Sequence, residues 1–128
     1  MGAQYLIDSN AVIDYLSGLL PSKGMDFLSE VVNDVPQVSV ISKIEVLGYN
    51  APSSAQQLLA NFMKDAEILQ LSEAIVSQTI EIRKAHKIKL PDAIIAATAL
   101  VNRFALISRN KSDFKNIDGL TVIDPHLL

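Results

Sequence analysis

At 128 residues, 49% hydrophobic and 20% charged, the chain has the size and balance of one globular domain with a single sizeable core. It contains no cysteine, which excludes a disulfide scaffold, a thiol nucleophile and a thiolate zinc site. Its net charge of −3 argues against indiscriminate binding to nucleic acid, although three Lys/Arg and nine Asp/Glu in residues 1–80 (−6) give way to eight and five in residues 81–128 (+3), a half able to contact phosphates.

Met1–Leu6 has no basic stretch leading into an apolar one, so no signal peptide is expected. Gln4–Asp8 is a short apolar run ending in an acid, the pattern of a buried strand. Ser9 and Asn10 offer N-cap chemistry for a helix over about Ala11–Ser17, which Gly18 and Pro21 break. A second helix is predicted over Lys23–Asn33. Gln37–Ile41 is rich in β-branched residues and predicts a strand. Ser42 then opens a helix to about Leu47, closed by Gly48. Ala55–Lys64 predicts a helix, Ala66–Leu71 a short strand and Ser72–His86 a strongly periodic helix.

Pro91 suits the first turn of a helix over Pro91–Arg103, which is almost wholly apolar and therefore central. Its apolar run is far too short to span a bilayer, so a cytoplasmic protein is expected. Ala105–Ser108 and Leu120–Asp124 complete the set as buried strands. Strands alternate with helices and no two-residue hairpin joins them. That pattern predicts an α/β fold, a three-layer α/β/α sandwich with a central parallel sheet. No linker or repeat divides residues 1–128, so one domain is expected.

In such a sheet, chemistry sits beyond the carboxyl ends of the strands. Asp8 ends the first strand, Glu45 follows the second, Asp92 begins the long apolar helix and Asp113 lies just beyond Ala105–Ser108. Each has a bland alternative. Asp8 and Asp92 suit helix N-termini. Ser42 and Glu45 fit a capping box. Asp113 fits the cap of a turn before Phe114. Asp124 also ends a strand. Together, however, converging carboxylates repel one another, and a hard divalent cation with oxygen ligands removes that cost. The set therefore predicts metal-assisted phosphoryl-transfer chemistry.

The motifs carry a family resemblance. Leu6-Ile7-Asp8-Ser9-Asn10 resembles the opening motif of PIN-domain nucleases, and Ser42-Lys43-Ile44-Glu45 resembles their second. Leu90-Pro91-Asp92-Ala93-Ile94-Ile95-Ala96-Ala97-Thr98-Ala99 closely resembles the third, and Leu106–Phe114 the fourth. Size and motif order are most similar to VapC-type toxins of toxin–antitoxin pairs. The resemblance implies a single α/β/α domain, Mg²⁺- or Mn²⁺-dependent cleavage of RNA to 5′-phosphate and 3′-hydroxyl ends, a homodimer, and inhibition by a small antitoxin.

On that reading Asp8, Asp92 and Asp113 hold metal, and Glu45 joins them or orients the attacking water. Ser108 stands where the family often has Thr. Asn110 stands where some relatives carry an acid, which leaves Asp113 as the fourth carboxylate. Ser9, Asn10, Ser42, Ser108 and Asn110 are candidates to orient the carboxylates. Arg109, Lys111 and Lys115 are candidates to grip RNA phosphates, whereas Arg83, Lys84, Lys87 and Lys89 are expected as a solvated helix end. His86 and His126 have no predicted role in catalysis. The apolar positions Met25, Leu28, Val32, Leu59, Phe62 and Met63 are candidates for core or for a docking face.

Two rival readings remain at this stage. One is a catalytically inactive metal- or RNA-binding module on the same fold. The other is a phospho-acceptor signalling domain, which would need an acidic pair after the first strand, where Ser9 and Asn10 stand instead.

Overall fold

A computed structural model describes residues 4–128. Met1–Ala3, the start of the stretch read above for a signal peptide, lie outside the described residues. Five strands, β1 (Tyr5–Ile7), β2 (Gln37–Ser39), β3 (Glu67–Leu69), β4 (Ala105–Ile107) and β5 (Val122–Ile123), form one parallel sheet in the order β3-β2-β1-β4-β5. Among the described residues six helices accompany them: α1 (Ser9–Leu16), α2 (Ser22–Asn33), α3 (Val40–Leu47), α4 (Ser53–Asp65), α5 (Glu73–Ala85) and α6 (Leu90–Asn102). Short 3₁₀ turns follow β4 (Lys111–Phe114) and β5 (Pro125–Leu127). Among the described residues no helix is long and apolar enough to cross a membrane.

Neighbouring residues of a strand face opposite sides of the sheet. Leu6 and Leu106 accordingly pack with Ile75, Ile82, Ile95 and Phe114, while Ile7 and Ile107 pack with Val12, Leu28, Val46 and Met63. The first group belongs to the α5–α6 layer and the second to the α1–α4 layer. The expected α/β/α sandwich is thus built from two apolar layers on opposite faces of the sheet, which also touch where Ile41 of α3 packs against the α5–α6 layer. Chain order produces this division: β1-β2-β3 run one way across the sheet, and right-handed crossovers place their helices on one face. β4 and β5 lie on the far side of β1, so the return connection through α5 and α6 covers the other face. The strand order reverses between β1 and β4, and a crevice opens beyond their carboxyl ends.

Several local expectations are corrected. Asp8 itself caps α1, accepting the Ser9 backbone N–H, so the helix begins two residues before Ala11. Ser39 caps α3 through the Ile41 N–H, which shortens β2 and places Ser42 inside the helix. The capping box proposed for Ser42 and Glu45 therefore does not form. Leu28, Leu59, Phe62 and Met63 are buried, with Met25 and Val32 packed against them, so that set is core and no docking face.

The Pro125–Leu127 turn lies against α2. A Cβ at Gly24 would meet the Pro125 carbonyl oxygen, so only glycine permits this approach. Gly24→Ala is expected to cost about 1–3 kcal/mol, as overpacking does, read as a lower denaturation midpoint in urea.

Candidate metal centre

Asp8 is the most constrained acid at the crevice, 4% exposed at the end of β1. Its backbone N–H donates to the Ile107 carbonyl of β4, which holds it beside the end of that strand. Oδ1 accepts the Ser9 backbone N–H at 2.8 Å. Oδ2 accepts the Ser108 hydroxyl at 2.8 Å and the Asn10 side-chain amide at 3.1 Å. Ser9 Oγ lies 3.3 Å from Asp8 Oδ1 but 2.6 Å from Glu45 Oε1. A hydroxyl has one proton, and the shorter contact directs it to Glu45. Asp8 Oδ1 then keeps acceptor capacity beyond the Ser9 N–H.

The other acids come from three further elements. Glu45 is exposed on α3, and its bond to Ser9 ties that helix to the start of α1. Asp92 is half-buried in the first turn of α6, where Lys89 precedes the helix. Asp113 is exposed in the 3₁₀ turn after β4.

Asp92 is coupled to the other three acids, and Asp8 to Glu45. Burial pushes the Asp8 carboxyl above the ordinary carboxylate range; hydrogen bonds from Ser108 and Ser9 draw it back in part, and the Glu45 charge raises it again. Burial also raises Asp92, followed by repulsion from Asp8, Asp113 and Glu45, with Lys89 in partial opposition. Asp92 therefore feels every other member of the predicted set.

The donor set is all hard oxygen, and the acids repel until a cation neutralises them. Both features suit a hard divalent cation rather than a soft metal. Among the described residues no three acids or histidines stand close enough to form a ready-made cage. That is compatible with Mg²⁺, which keeps several waters and needs only one or two direct carboxylates.

A cleft of about 280 Å³ is lined by Lys87, Ile88, Lys89, Asp92, Ser112 and Asp113, two of the four acids among them. Lys87 and Lys89, expected as part of a solvated helix end, thus form a wall of the site. Arg109 behaves oppositely. Its guanidinium is committed to the buried Asp14, with Nη1 3.0 and 3.2 Å from the two carboxylate oxygens. Half of the side chain remains exposed. Lys111 and Lys115 remain exposed around the 3₁₀ turn. Asn110 makes no side-chain cap bond, but its backbone N–H donates to Ser108 Oγ at 3.1 Å. Ser42 is fully buried, and among the described residues its hydroxyl has no partner.

Asp14 escaped the sequence reading, as did the partner role of His126. The available signal was an acid set between Ile13 and Tyr15 in an otherwise apolar helix. Asp124, the remaining strand-ending acid, caps the last turn by accepting the His126 N–H.

The PIN-domain family model matches residues 5–120. The chain belongs to the PIN-domain family. A chain of a toxin–antitoxin complex from Klebsiella pneumoniae matches this PIN domain at 31% identity and a TM-score of 0.74, covering 95% of this chain and 98% of that one. A chain of DNA-bound VapBC from Salmonella typhimurium matches with a TM-score of 0.80 at 19% identity, covering 97% and 99%. One from FitAcB of Neisseria gonorrhoeae matches at 0.76 and 20%, covering 98% and 100%. At those lower identities the likeness is one of fold. Comparison with curated proteins yields no match.

A carboxyl whose value is raised by folding contributes stability fully present below the unfolded value and lost as pH rises through the folded value. Asp8 and Asp92 both have that sign. In the metal-free PIN domain, Asp92→Asn is therefore expected to gain stability relative to the parent as pH rises from the carboxylate range to neutrality. Calorimetric melting with a chelator present measures this. A variant clearly less stable than the parent at neutral pH would contradict the repulsion described above.

Proposed function

We propose that this PIN domain is a metal-dependent endoribonuclease and the toxin of a toxin–antitoxin pair. The observation that carries the reading is Asp8, fixed at the end of β1 by Ser9, Asn10 and Ser108 and tied through Ser9 to Glu45, with Asp92 raised by repulsion from Asp8, Asp113 and Glu45. Asp8, Asp92 and Asp113 would hold Mg²⁺ or Mn²⁺. A bound divalent cation supplies nucleophilic water at neutral pH and offsets charge on the phosphodiester.

The remaining work falls to the chain. Ser108, Ser9 and Asn10 fix the Asp8 carboxylate through its hydrogen bonds. Glu45, held by the Ser9 hydroxyl, stands at the rim to complete the ligand set or accept a proton from the attacking water. Lys87 and Lys89 line the cleft beside the acids and are placed to hold a phosphate, with Lys111 and Lys115 extending the basic track. An RNA strand crossing there is drawn by phosphate charge and kept from the acids except where a cation bridges them.

The toxin assignment draws on the relatives, among them the Klebsiella pneumoniae toxin–antitoxin complex. Two exposed apolar features agree with the proposed partners. Ile13, Leu16, Tyr49, Pro52 and Leu58 line a groove between α1 and α4 suited to an apolar antitoxin segment. Val76 and Ile80 lie exposed one turn apart on α5, as a homodimer contact would require. We further propose that residues 1–128 act as one domain in the cytoplasm.

Purified protein with Mn²⁺ is expected to cut structured RNA and to melt at higher temperature than with chelator, by mass action on the folded state. Asp8→Asn and Asp92→Asn should each abolish cleavage and exclude contaminating ribonuclease. RNA binding without any cut product would favour the inactive-module reading instead. The double variant Lys87→Ala/Lys89→Ala should raise KM for RNA by about tenfold or more with kcat largely kept, since such contacts position the backbone. A fall in kcat at unchanged KM would remove the lysines from phosphate binding.

A further inference from the structure

Asp14 has no place in the acid site, yet it is the most deeply buried charged residue among those described, at 2% exposure. A buried carboxylate is costly unless paired and hydrogen-bonded. Its partners come from two distant stretches. Arg109 Nη1 reaches both oxygens, and His126 Nε2 lies 2.9 Å from Oδ2.

The contacts continue to the metal centre. Arg109 belongs to the segment Ser108–Asn110, which leaves the end of β4. The Arg109 backbone N–H donates to Asn10 Oδ1 at 3.1 Å. The Asn10 amide donates to Asp8 Oδ2, and its other contact is Ser108 Oγ at 3.3 Å. Ser108 Oγ donates to that same Asp8 oxygen and accepts the Asn110 N–H. The two groups that fix Asp8 Oδ2 are therefore both tied to the segment whose side-chain anchor is Asp14.

We propose that Asp14 is a positioning residue: through Arg109 it clamps the Ser108–Asn110 segment, and this segment holds Asp8 in its metal-binding orientation. His126 is the second jaw of the clamp. It reaches Asp14 because the Pro125–Leu127 turn is pressed against α2 at Gly24 and because Asp124 caps that turn. The C-terminal turn thus acts on a carboxylate that it does not touch. Arg109 serves this clamp in place of binding RNA. The effect on cleavage rests on the nuclease reading above; the clamp itself does not.

The test compares the parent, Asp14→Asn and Arg109→Ala in the full chain. Amide hydrogen exchange of the metal-free proteins reads the clamp directly. Both variants should lose protection at the Arg109 and Asn110 amides, while the Ser108 amide, bonded to the Ile123 carbonyl, keeps it. Titration with Mn²⁺ should show affinity weakened by about tenfold, the lower end of the range for groups that orient metal ligands. With saturating Mn²⁺, kcat should fall at unchanged KM, and Arg109→Lys should recover part of the loss.

Two results would overturn the proposal. One is a lowered melting temperature with exchange at 109 and 110 and Mn²⁺ affinity unchanged, the mark of a purely structural ion pair. The other is a raised KM alone in Arg109→Ala, the mark of a phosphate contact. If Asp14→Asn does not fold, the half-exposed Arg109 still decides through Arg109→Ala. A parent that neither binds Mn²⁺ nor cuts RNA would sink the nuclease reading, and exchange at Arg109 and Asn110 would then decide the clamp by itself.

Discussion

The burial of Asp8 beside three other acids is the constraint around which this molecule is organised. Removing a carboxylate from water disfavours its charged form, and like charges nearby add to that penalty. Four devices oppose it. The Ser108 hydroxyl, the Asn10 amide and the Ser9 N–H donate to the carboxylate. The positive end of the α1 dipole lies at Asp8, which caps that helix. These partners hold the charge in one orientation but leave the repulsion with Glu45 and Asp92 in place. That residual repulsion is the free energy a divalent cation would relieve.

The packing serves the same end. Asp92 reaches the crevice from α6, whose inner face is mostly small: Ala93, Ala96, Ala97 and Ala99 are all fully buried. Small side chains let a helix approach a sheet closely, and Ile95 fills the space between. Asp92 also lies in the first turn of its helix, so two helix N-termini face the acids. The sheet order adds the last condition. Because strand order reverses at β1 and β4, Asp8 and Ser108 end adjacent strands 100 residues apart in sequence and meet across the crevice.

The charges around the site divide into two kinds. Lys87 and Lys89 face the cleft, where a phosphate would pass. Arg109, beyond the end of β4, pairs instead with the buried Asp14, which His126 also contacts. A buried acid such as Asp14 draws a guanidinium more strongly than open solvent does, because an unpaired charge in the interior is costly.

Alternating apolar strands and periodic helices were legible in the chain itself, because burial on both faces of a parallel sheet imposes that pattern at every element. Asp8 and Asp92 stood out for a related reason: the first directly follows a strand and the second lies in the first turn of a helix, positions that chemistry favours in such a sheet. What the chain could not reveal were relations between its distant parts. Ser42 reads as a cap until Ser39 takes that place, since both satisfy the same local chemistry. Asp14 reads as one helix acid until folding buries it between Arg109 and His126. Local chemistry is written residue by residue; which side chains share a low-dielectric interior is decided only when remote segments pack.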